Sequence, residues 1–365
     1  MAYGTINADL MTTSDGVSSS GLYGFKNRLI NGAMAISQRG TSFVSPTSAY
    51  TIDRWEMEEN TDGTVTVTQD TDAPTGFSFS QKFTVTSADA SLAATQDLIV
   101  GQYIEGFNTA DLVFGSASAA TVTLSFWVKS SLTGTFGGAL QNSARTRSYP
   151  FTYTISSAST WEQKTVTIAG DTSGTWIGAT NGIGLRVYFG LGVGSTYSGT
   201  AGAWAATNYY SVTGAVSVIG TNSATWAVTG VQLEKGSTAT SFDYRPYGTE
   251  LQLCQRYYQK FSATAGGQNF GSGMMNTTTT SRMFIPFLVP LRTNPTALEQ
   301  SGTASDYAIF HGGTVTTCSA VPGFVSATVN GGGFEATIAS GGTVGYGTLL
   351  RSATSSAYLG FSAEL

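Results

Sequence analysis

Short runs in which apolar and polar residues alternate fill the chain between about residues 27 and 245. In residues 121–129, Val122, Leu124 and Phe126 fall on one face of an extended strand, and the other face is mostly polar, with two threonines, a serine and a lysine. Alternation with a period of two is typical of a strand with one buried and one solvated face. The same type of segment predicts strands at residues 64–68, 76–83, 121–129, 150–155, 164–168, 184–191, 212–218 and 226–233.

Glycine, serine, asparagine and aspartate separate these strands, and no self-similar repeat of propeller length recurs along the chain. Strands with long, irregular connections and no repeat favour two packed sheets over a propeller. We therefore predict an all-β fold in which residues 27–248 form a jelly-roll (galactose-binding-like) sandwich, with Trp127, Trp161, Trp176 and Trp226 between its sheets.

One segment has helical spacing. In residues 249–258, Leu251, Cys254 and Tyr258 share one face at i, i+3 and i+7. Pro246 and Gly248 precede this segment and mark a break, so we place a domain boundary there. A short helix is expected to connect the sandwich to the C-terminal part of the chain.

Strand patterns return after the predicted helix, and glycine pairs and triplets mark the turns between them. Residues 249–365 are therefore predicted to form a smaller C-terminal β-sandwich domain. Residues 1–26 are rich in Gly, Ser, Thr and Asp and show neither helical nor strand periodicity. We predict that they form an extended arm. The strands expected in the C-terminal domain are at residues 257–262, 282–289, 307–310, 323–329, 334–338 and 356–363.

The composition narrows the possible functions. Charged residues make up 11% of the chain, the net charge is −5, and no Lys/Arg cluster could follow a phosphate backbone. Nucleic acid is therefore not an expected partner. The longest apolar stretch, residues 283–291, is too short to cross a bilayer, so membrane insertion is not expected either.

The residues that usually carry catalysis are scarce. His311 is the single histidine, no GxSxG motif is present, and Cys254 and Cys318 lie outside any zinc-binding spacing. The pair Asp70 and Asp72 lacks the spacing of a calcium loop, although structural Ca²⁺ stays open. We predict no catalytic residue, no metal site and no cofactor.

Pairs of carboxylates are possible catalytic sites, because glycan-cleaving enzymes need only two acidic side chains beside the bond that they break. The candidates are Glu56, Glu58 and Glu59 after Trp55, Asp70 with Asp72, and Glu162 beside Trp161. Acids two residues apart on a wet strand face are typical of solvated surface charge, and this is the interpretation that we adopt.

Aromatic residues in a glycine-rich loop give the first candidate for ligand binding. Trp204, Tyr209 and Tyr210 lie within residues 199–210, outside the clean strand patterns. Their ring faces could stack on sugars. The alternative is that they close the end of the sandwich core or pack against a neighbouring subunit, and the sequence leaves both open.

Two sequence blocks carry a family resemblance. The first is NRLINGAM (27–34) followed by QRG (38–40) and DRW (53–55), and the second is VQLEKGSTATSFDYRPY (231–247) followed by CQRYY (254–258). Together they resemble tail-fibre and related virion structural proteins of tailed bacteriophages, in which such blocks bracket a carbohydrate-binding-module-like sandwich. The ending Ala363-Glu364-Leu365 also suits that family.

The resemblance implies a non-enzymatic virion protein, a tail-fibre or appendage subunit that binds host-surface glycan as a homotrimer. The resemblance also implies that the protein is made in the host cytoplasm and located in the virion, with residues 1–26 attaching to other virion proteins.

If the N-terminal arm attaches to the virion, the C-terminal domain faces outward. Its loops at 262–280 and 312–322 are then a second candidate site, with Asn269, Phe270, Asn276 and His311. These loops could equally be ordinary hairpin connections. The rivals are a capsid or tail decoration protein with an assembly role only, and a virion-associated polysaccharide depolymerase.

Overall fold

The structure is a computed structural model that describes residues 25–365. The predicted N-terminal arm lies outside the described residues, except for Phe25 and Lys26. The chain divides into two compact units, the first comprising the chain up to Glu250 together with Leu365 and the second comprising residues 251–364. The connecting helix α1 is Tyr247–Gln255. No helix in the described range 25–365 is both long and apolar enough to cross a membrane.

The first unit is a sandwich of two six-stranded sheets, with order β1-β4-β5-β14-β7-β10 in one and β2-β3-β6-β11-β8-β9 in the other, and a two-stranded ribbon β12-β13. Its strands are β1 (Ser42–Val44), β2 (Ala49–Tyr50), β3 (Glu56–Glu59), β4 (Thr64–Asp70), β5 (Ser80–Ser87), β6 (Asp97–Glu105), β7 (Val122–Ser130), β8 (Gly134–Gln141), β9 (Ser148–Ile155), β10 (Glu162–Ile168), β11 (Ile183–Val193), β12 (Ser198–Gly199), β13 (Ser211–Val212) and β14 (Thr225–Lys235). Every pairing within the two large sheets is antiparallel. The predicted all-β sandwich is confirmed.

The core lies between the two sheets, where alternate side chains of each strand meet. Phe126 of β7 packs edge-to-face on Phe189 of β11, with ring centroids 4.9 Å apart. Of the four tryptophans expected in the core, Trp226 is fully buried, and Trp55 joins it. The other three are only half-buried, because each sits on an outer sheet face or in a loop.

After α1, the regular structure of the second unit is β apart from a short 3₁₀ helix, Ala304–Asp306. Its strands are β15 (Tyr258–Ser262), β16 (Asn269–Met275), β17 (Thr280–Pro286), β18 (Glu299–Gln300), β19 (Tyr307–His311), β20 (Thr314–Thr328), β21 (Gly331–Ile338), β22 (Gly347–Ser352) and β23 (Tyr358–Ser362). Six strands close into a barrel in the order β16-β17-β21-β20-β19-β22, and β15-β23-β18 form a small sheet. The second domain is thus a barrel and not the second sandwich expected, because β22 pairs with both β16 and β19 and so closes the sheet on itself.

Candidate functional site

The sandwich contains a recess of about 260 Å³. We call it the aromatic recess. Its lining includes five aromatic side chains, Phe77, Phe79, Phe242, Tyr244 and Tyr247, together with the charged side chains of Asp243, Arg245 and Glu250. It therefore combines flat apolar rings with groups that accept hydrogen bonds, the mixture that is typical of small-ligand sites.

Three of the rings pack on one another. The Phe77 centroid lies 5.1 Å from that of Phe242 and 5.5 Å from that of Tyr244. The Tyr244 hydroxyl donates a 2.7 Å hydrogen bond to the carbonyl of Gly76, which fixes the ring. Even so, Tyr244 is 59% exposed and Tyr247 is 65% exposed. Two large rings that remain open to solvent beside a cavity are available for stacking.

A bulge in β14 makes room for Phe77. The pairing of β14 with β7 shifts between Thr229 and Gln232, and Gly230 within the shift has φ of +60°. A Cβ atom at Gly230 would lie 2.6 Å from the Phe77 ring. Both the left-handed backbone and the close ring approach therefore require glycine at this position.

The charged groups of the recess also join the two ends of the sandwich chain. The Asp243 carboxylate accepts hydrogen bonds from the backbone N–H groups of Lys26 and Asn27, at 2.9 and 3.2 Å. The Arg245 guanidinium donates to the carbonyls of Asn27 and Leu29. The two sequence blocks that carry the family resemblance thus meet at the recess and build it.

Glu250 completes this arrangement from the first turn of α1. Its carboxylate accepts from the backbone N–H of Asn31 and lies 3.3 Å from Nη1 of Arg245. The Arg245 guanidinium also lies over the Phe25 ring, 5.0 Å from the centroid. The recess is thus held by contacts among side chains that are already in place before any ligand arrives.

Trp204 lies elsewhere, in an edge-to-face cluster at another part of the sandwich. Its ring contacts those of Phe114, Tyr149 and Trp176 at centroid distances of 5.4–5.9 Å. Its Nε1 donates a 2.7 Å hydrogen bond to the carbonyl of Ala169. Phe114 and Trp176 border a smaller cavity of about 190 Å³, whereas Trp204 is half-buried and does not line it.

Tyr210 belongs to a buried polar network on the outer face of the β6–β11 sheet. Its hydroxyl accepts a 2.7 Å hydrogen bond from Nη1 of Arg145, and Nη2 of Arg145 donates to Glu58 at 2.6 Å. Tyr209 is half-buried, and its carbonyl accepts from Gln141. Tyr210 is only 4% exposed, so its ring face is not open to a ligand in this structure.

The four C-terminal candidates lie in the barrel unit. Asn269 and Asn276 are exposed at the two ends of the β16 region. Phe270 is half-buried and packs on Tyr307, whereas His311 is buried with its Nε2 3.0 Å from Oγ1 of Thr316. The seven predicted residues are thus divided between two units, and the structure does not gather them into one site.

Each candidate group contains a carboxylate that is paired with a cation, namely Glu58 with Arg145, Asp72 with Lys129 and Glu162 with Lys164. Lys129 and Trp161 donate to Asp72 and lower the pKa of that carboxyl. Lys164 donates to Glu162 at 2.6 Å and lowers its pKa. Ionised, cation-paired carboxylates are poor proton donors, so neither supplies the general acid that glycosidic cleavage needs. No group of three or more His, Cys, Asp or Glu residues is arranged to hold a metal ion in the described part of the chain.

One carboxyl behaves differently. Burial, followed by the charge of Glu58, raises the pKa of Asp97 to about 6. Burial also acts to raise the pKa of Glu58, but hydrogen bonds from Tyr103 and Arg145 outweigh it and leave that pKa lowered. Two carboxyls with pKa values moved in opposite directions are typical of acid–base pairs. Sequence reasoning missed Asp97 because it begins a strand that is buried along its whole length.

Comparison with known proteins gives structural likenesses only. No protein-family model matches the chain, and no curated protein matches it either. Among solved structures, it is similar to the enzymatically active domain of tailspike protein 4 from bacteriophage CBA120, at 12% identity and a TM-score of 0.31, over 57% of this chain and 21% of that one.

Two further similar structures are a putative sugar binding protein from Bacteroides thetaiotaomicron and a family 11 carbohydrate-binding module of Clostridium thermocellum. The first has 12% identity and a TM-score of 0.34, over 58% of this chain and 100% of that one. The second has 11% identity and a TM-score of 0.26, over 53% and 95%. At these TM-scores the likenesses carry no argument about function.

Proposed function

We propose that this chain is a non-catalytic, glycan-binding structural protein of a bacteriophage virion, a subunit of a tail fibre or similar appendage. The observation that carries glycan binding is the aromatic recess, where two widely exposed tyrosine rings stand beside two carboxylates. A sugar ring has an apolar C–H face that packs on an aromatic ring and hydroxyls that donate to carboxylate oxygens. The virion role rests on the sequence resemblance of the two blocks that build the recess.

The proposal extends to the setting of the protein. The subunit assembles as a homotrimer, attaches to other virion proteins through residues 1–26, and meets a glycan on the host surface. The low content of charged residues supports wide contacts between subunits, because the centres of such interfaces are depleted in charge. The aromatic recess is a different site from both candidates predicted from the sequence, the Trp204–Tyr210 loop and the barrel loops.

The test of glycan binding is a glycan array probed with the purified chain and with Tyr247→Ala. We expect the wild-type protein to bind a subset of glycans and the variant to lose roughly tenfold in affinity, since losing one stacking platform costs about 1.4 kcal/mol. Tyr247→Phe keeps the ring and should retain binding. Trp204→Ala is the matched control for removal of an aromatic ring outside the recess. No binding to any glycan would leave the assembly-only role as the better interpretation.

A depolymerase remains the second candidate because of Asp97 and Glu58. Its test is incubation of the protein with host capsular polysaccharide or lipopolysaccharide, followed by size analysis of the chains. We expect no shortening. Shortening that disappears in both Asp97→Asn and Glu58→Gln would replace the binding-only proposal with an enzyme whose site is the β6–β11 sheet face.

A further inference from the structure

The aromatic recess carries an uneven set of charges. Its lining contains two carboxylates, Asp243 and Glu250, and a single cation, Arg245. The side chains of the two acids are 16% and 14% exposed, whereas that of Arg245 is 4% exposed. A ligand that enters the recess therefore meets negative charge more readily than positive charge.

The hydrogen-bonding groups show the same imbalance. Nη1 and Nη2 of Arg245 already donate to the carbonyls of Leu29 and Asn27, and Nη1 also faces Glu250. The Phe25 ring covers one face of the guanidinium. Both Nη atoms of Arg245 are thus engaged at the chain ends, and its Nε, which has no hydrogen-bond partner, is buried, so the guanidinium offers no open fork to a carboxylate or phosphate.

Asp243 keeps capacity to accept hydrogen bonds, whereas both carboxylate oxygens of Glu250 lie within 3.4 Å of Nη1 of Arg245. Oδ2 of Asp243 takes the backbone N–H groups of Lys26 and Asn27, and no described residue donates to its Oδ1. A carboxylate has about four lone-pair sites, so hydroxyl groups of a ligand can still donate to it. Aromatic faces with open acceptors suit a polyhydroxylated ring without negative charge.

We propose that the aromatic recess selects neutral saccharides and rejects those that carry carboxylate, sulfate or phosphate groups. This inference rests on the proposed glycan-binding function and names the ligand class of the same site. A neutral sugar stacks on Tyr244 or Tyr247 and donates its hydroxyls to Asp243. An acidic sugar places a second negative charge beside these carboxylates, and no exposed cation of the lining offsets it.

The experiment measures binding to length-matched oligosaccharides, one set built from neutral hexoses and N-acetylhexosamines and the other containing hexuronic or sialic acid. We expect the neutral set to bind at least roughly tenfold more tightly at about 0.05 M salt, with the gap narrowing as salt screens the repulsion. The double variant Asp243→Asn/Glu250→Gln keeps the side-chain shapes and should bring acidic ligands to within about threefold of neutral ones. Asp62→Asn/Glu335→Gln changes the net charge equally, but these acids do not line the recess, so the neutral preference should persist.

The outcomes separate the two proposals. Preference for neutral ligands that is lost in the recess variant and kept in the control supports the inference. Tight binding of acidic ligands, or a preference that the control variant also abolishes, overturns it while glycan binding stands. Failure of both ligand sets to bind contradicts the proposed function itself. Circular dichroism of each variant shows whether a loss of binding reflects unfolding.

Discussion

Asp97 is a carboxyl group whose ionisation opposes folding of the sandwich. Asp97 is 6% exposed. Its burial, and to a smaller extent the negative charge of Glu58, raise its pKa from 3.8 to about 6. Because this pKa is higher in the folded state than in the unfolded state, the folded chain holds the proton more firmly. Stability from this group is therefore fully present below about pH 4 and is lost as the pH rises to about 6.

The magnitude comes from the size of the shift. About two pKa units correspond to about 3 kcal/mol, and partial access of water reduces this to about 1–3 kcal/mol. Asp97→Asn removes the charge and nearly preserves the shape. We expect the variant to exceed the wild type in free energy of unfolding by about 1–3 kcal/mol at about pH 7, and to match it at about pH 4.

The assay is urea unfolding monitored by tryptophan fluorescence across this pH range. All 6 tryptophans lie before residue 250, so the signal reports the sandwich alone. Asp111→Asn is a control that should destabilise the protein at neutral pH. Burial acts to raise the pKa of Asp111, but the hydrogen bond and charge of Arg28 outweigh burial and leave this pKa lowered. An Asp97→Asn protein that is less stable than the wild type at about pH 7, or equally stable at every pH, would refute the reasoning.

Other parts of the molecule give four more predictions. Arg147→Ala removes both guanidinium hydrogen bonds, each 2.7 Å, from the buried Asp171, and urea unfolding should show a loss of about 3–5 kcal/mol; a loss below about 1 kcal/mol would mean that water replaces the arginine. Gly230→Ala should displace Phe77 and weaken glycan binding, whereas Gly214→Ala, also at positive φ but with nothing near its Cβ, should destabilise without changing affinity. Light scattering should give about three times 38.0 kDa, and a monomer at micromolar concentration would contradict the trimer. Deleting residues 1–24 should leave the far-ultraviolet circular dichroism of a β protein but exclude the chain from virions; normal incorporation would place the attachment elsewhere.

The fold class could be predicted because one-sided strands leave a period-two pattern. Residues 121–129 and 164–168 are observed as β7 and β10, paired with each other along their length. The segment at 212–218 forms strand only at Ser211–Val212, and its later residues form a turn in which the backbone N–H of Val216 donates to the carbonyl of Thr135. Strand β6 was missed because both of its faces are buried and alternation disappears, and β8 because three of its eight residues are glycine.

The candidate site could be predicted only in part. Aromatic residues in loops were the right kind of signal, but the sequence does not show which loops converge. The recess joins distant segments of the chain, as the hydrogen bond between Tyr244 and Gly76 illustrates, with a sequence separation of 168. Phe77 and Phe79 of the recess lie in a segment predicted to be a strand. Phe242, Tyr244 and Tyr247 lie in the second of the two blocks that carry the family resemblance. Register and bulge position, set by Gly230, decide which of these rings meet.

The most direct measurement of the central claim is a crystal structure of the chain with the neutral oligosaccharide that binds best on the array. We predict a sugar ring stacked on Tyr244 or Tyr247, with carbon-to-ring distances of about 4 Å, and a hydroxyl within about 3 Å of the Asp243 carboxylate. A sugar bound instead beside Trp204 and Trp176, on the sheet face of Tyr210, or at Asn269 and Asn276 of the barrel would contradict glycan binding at the aromatic recess.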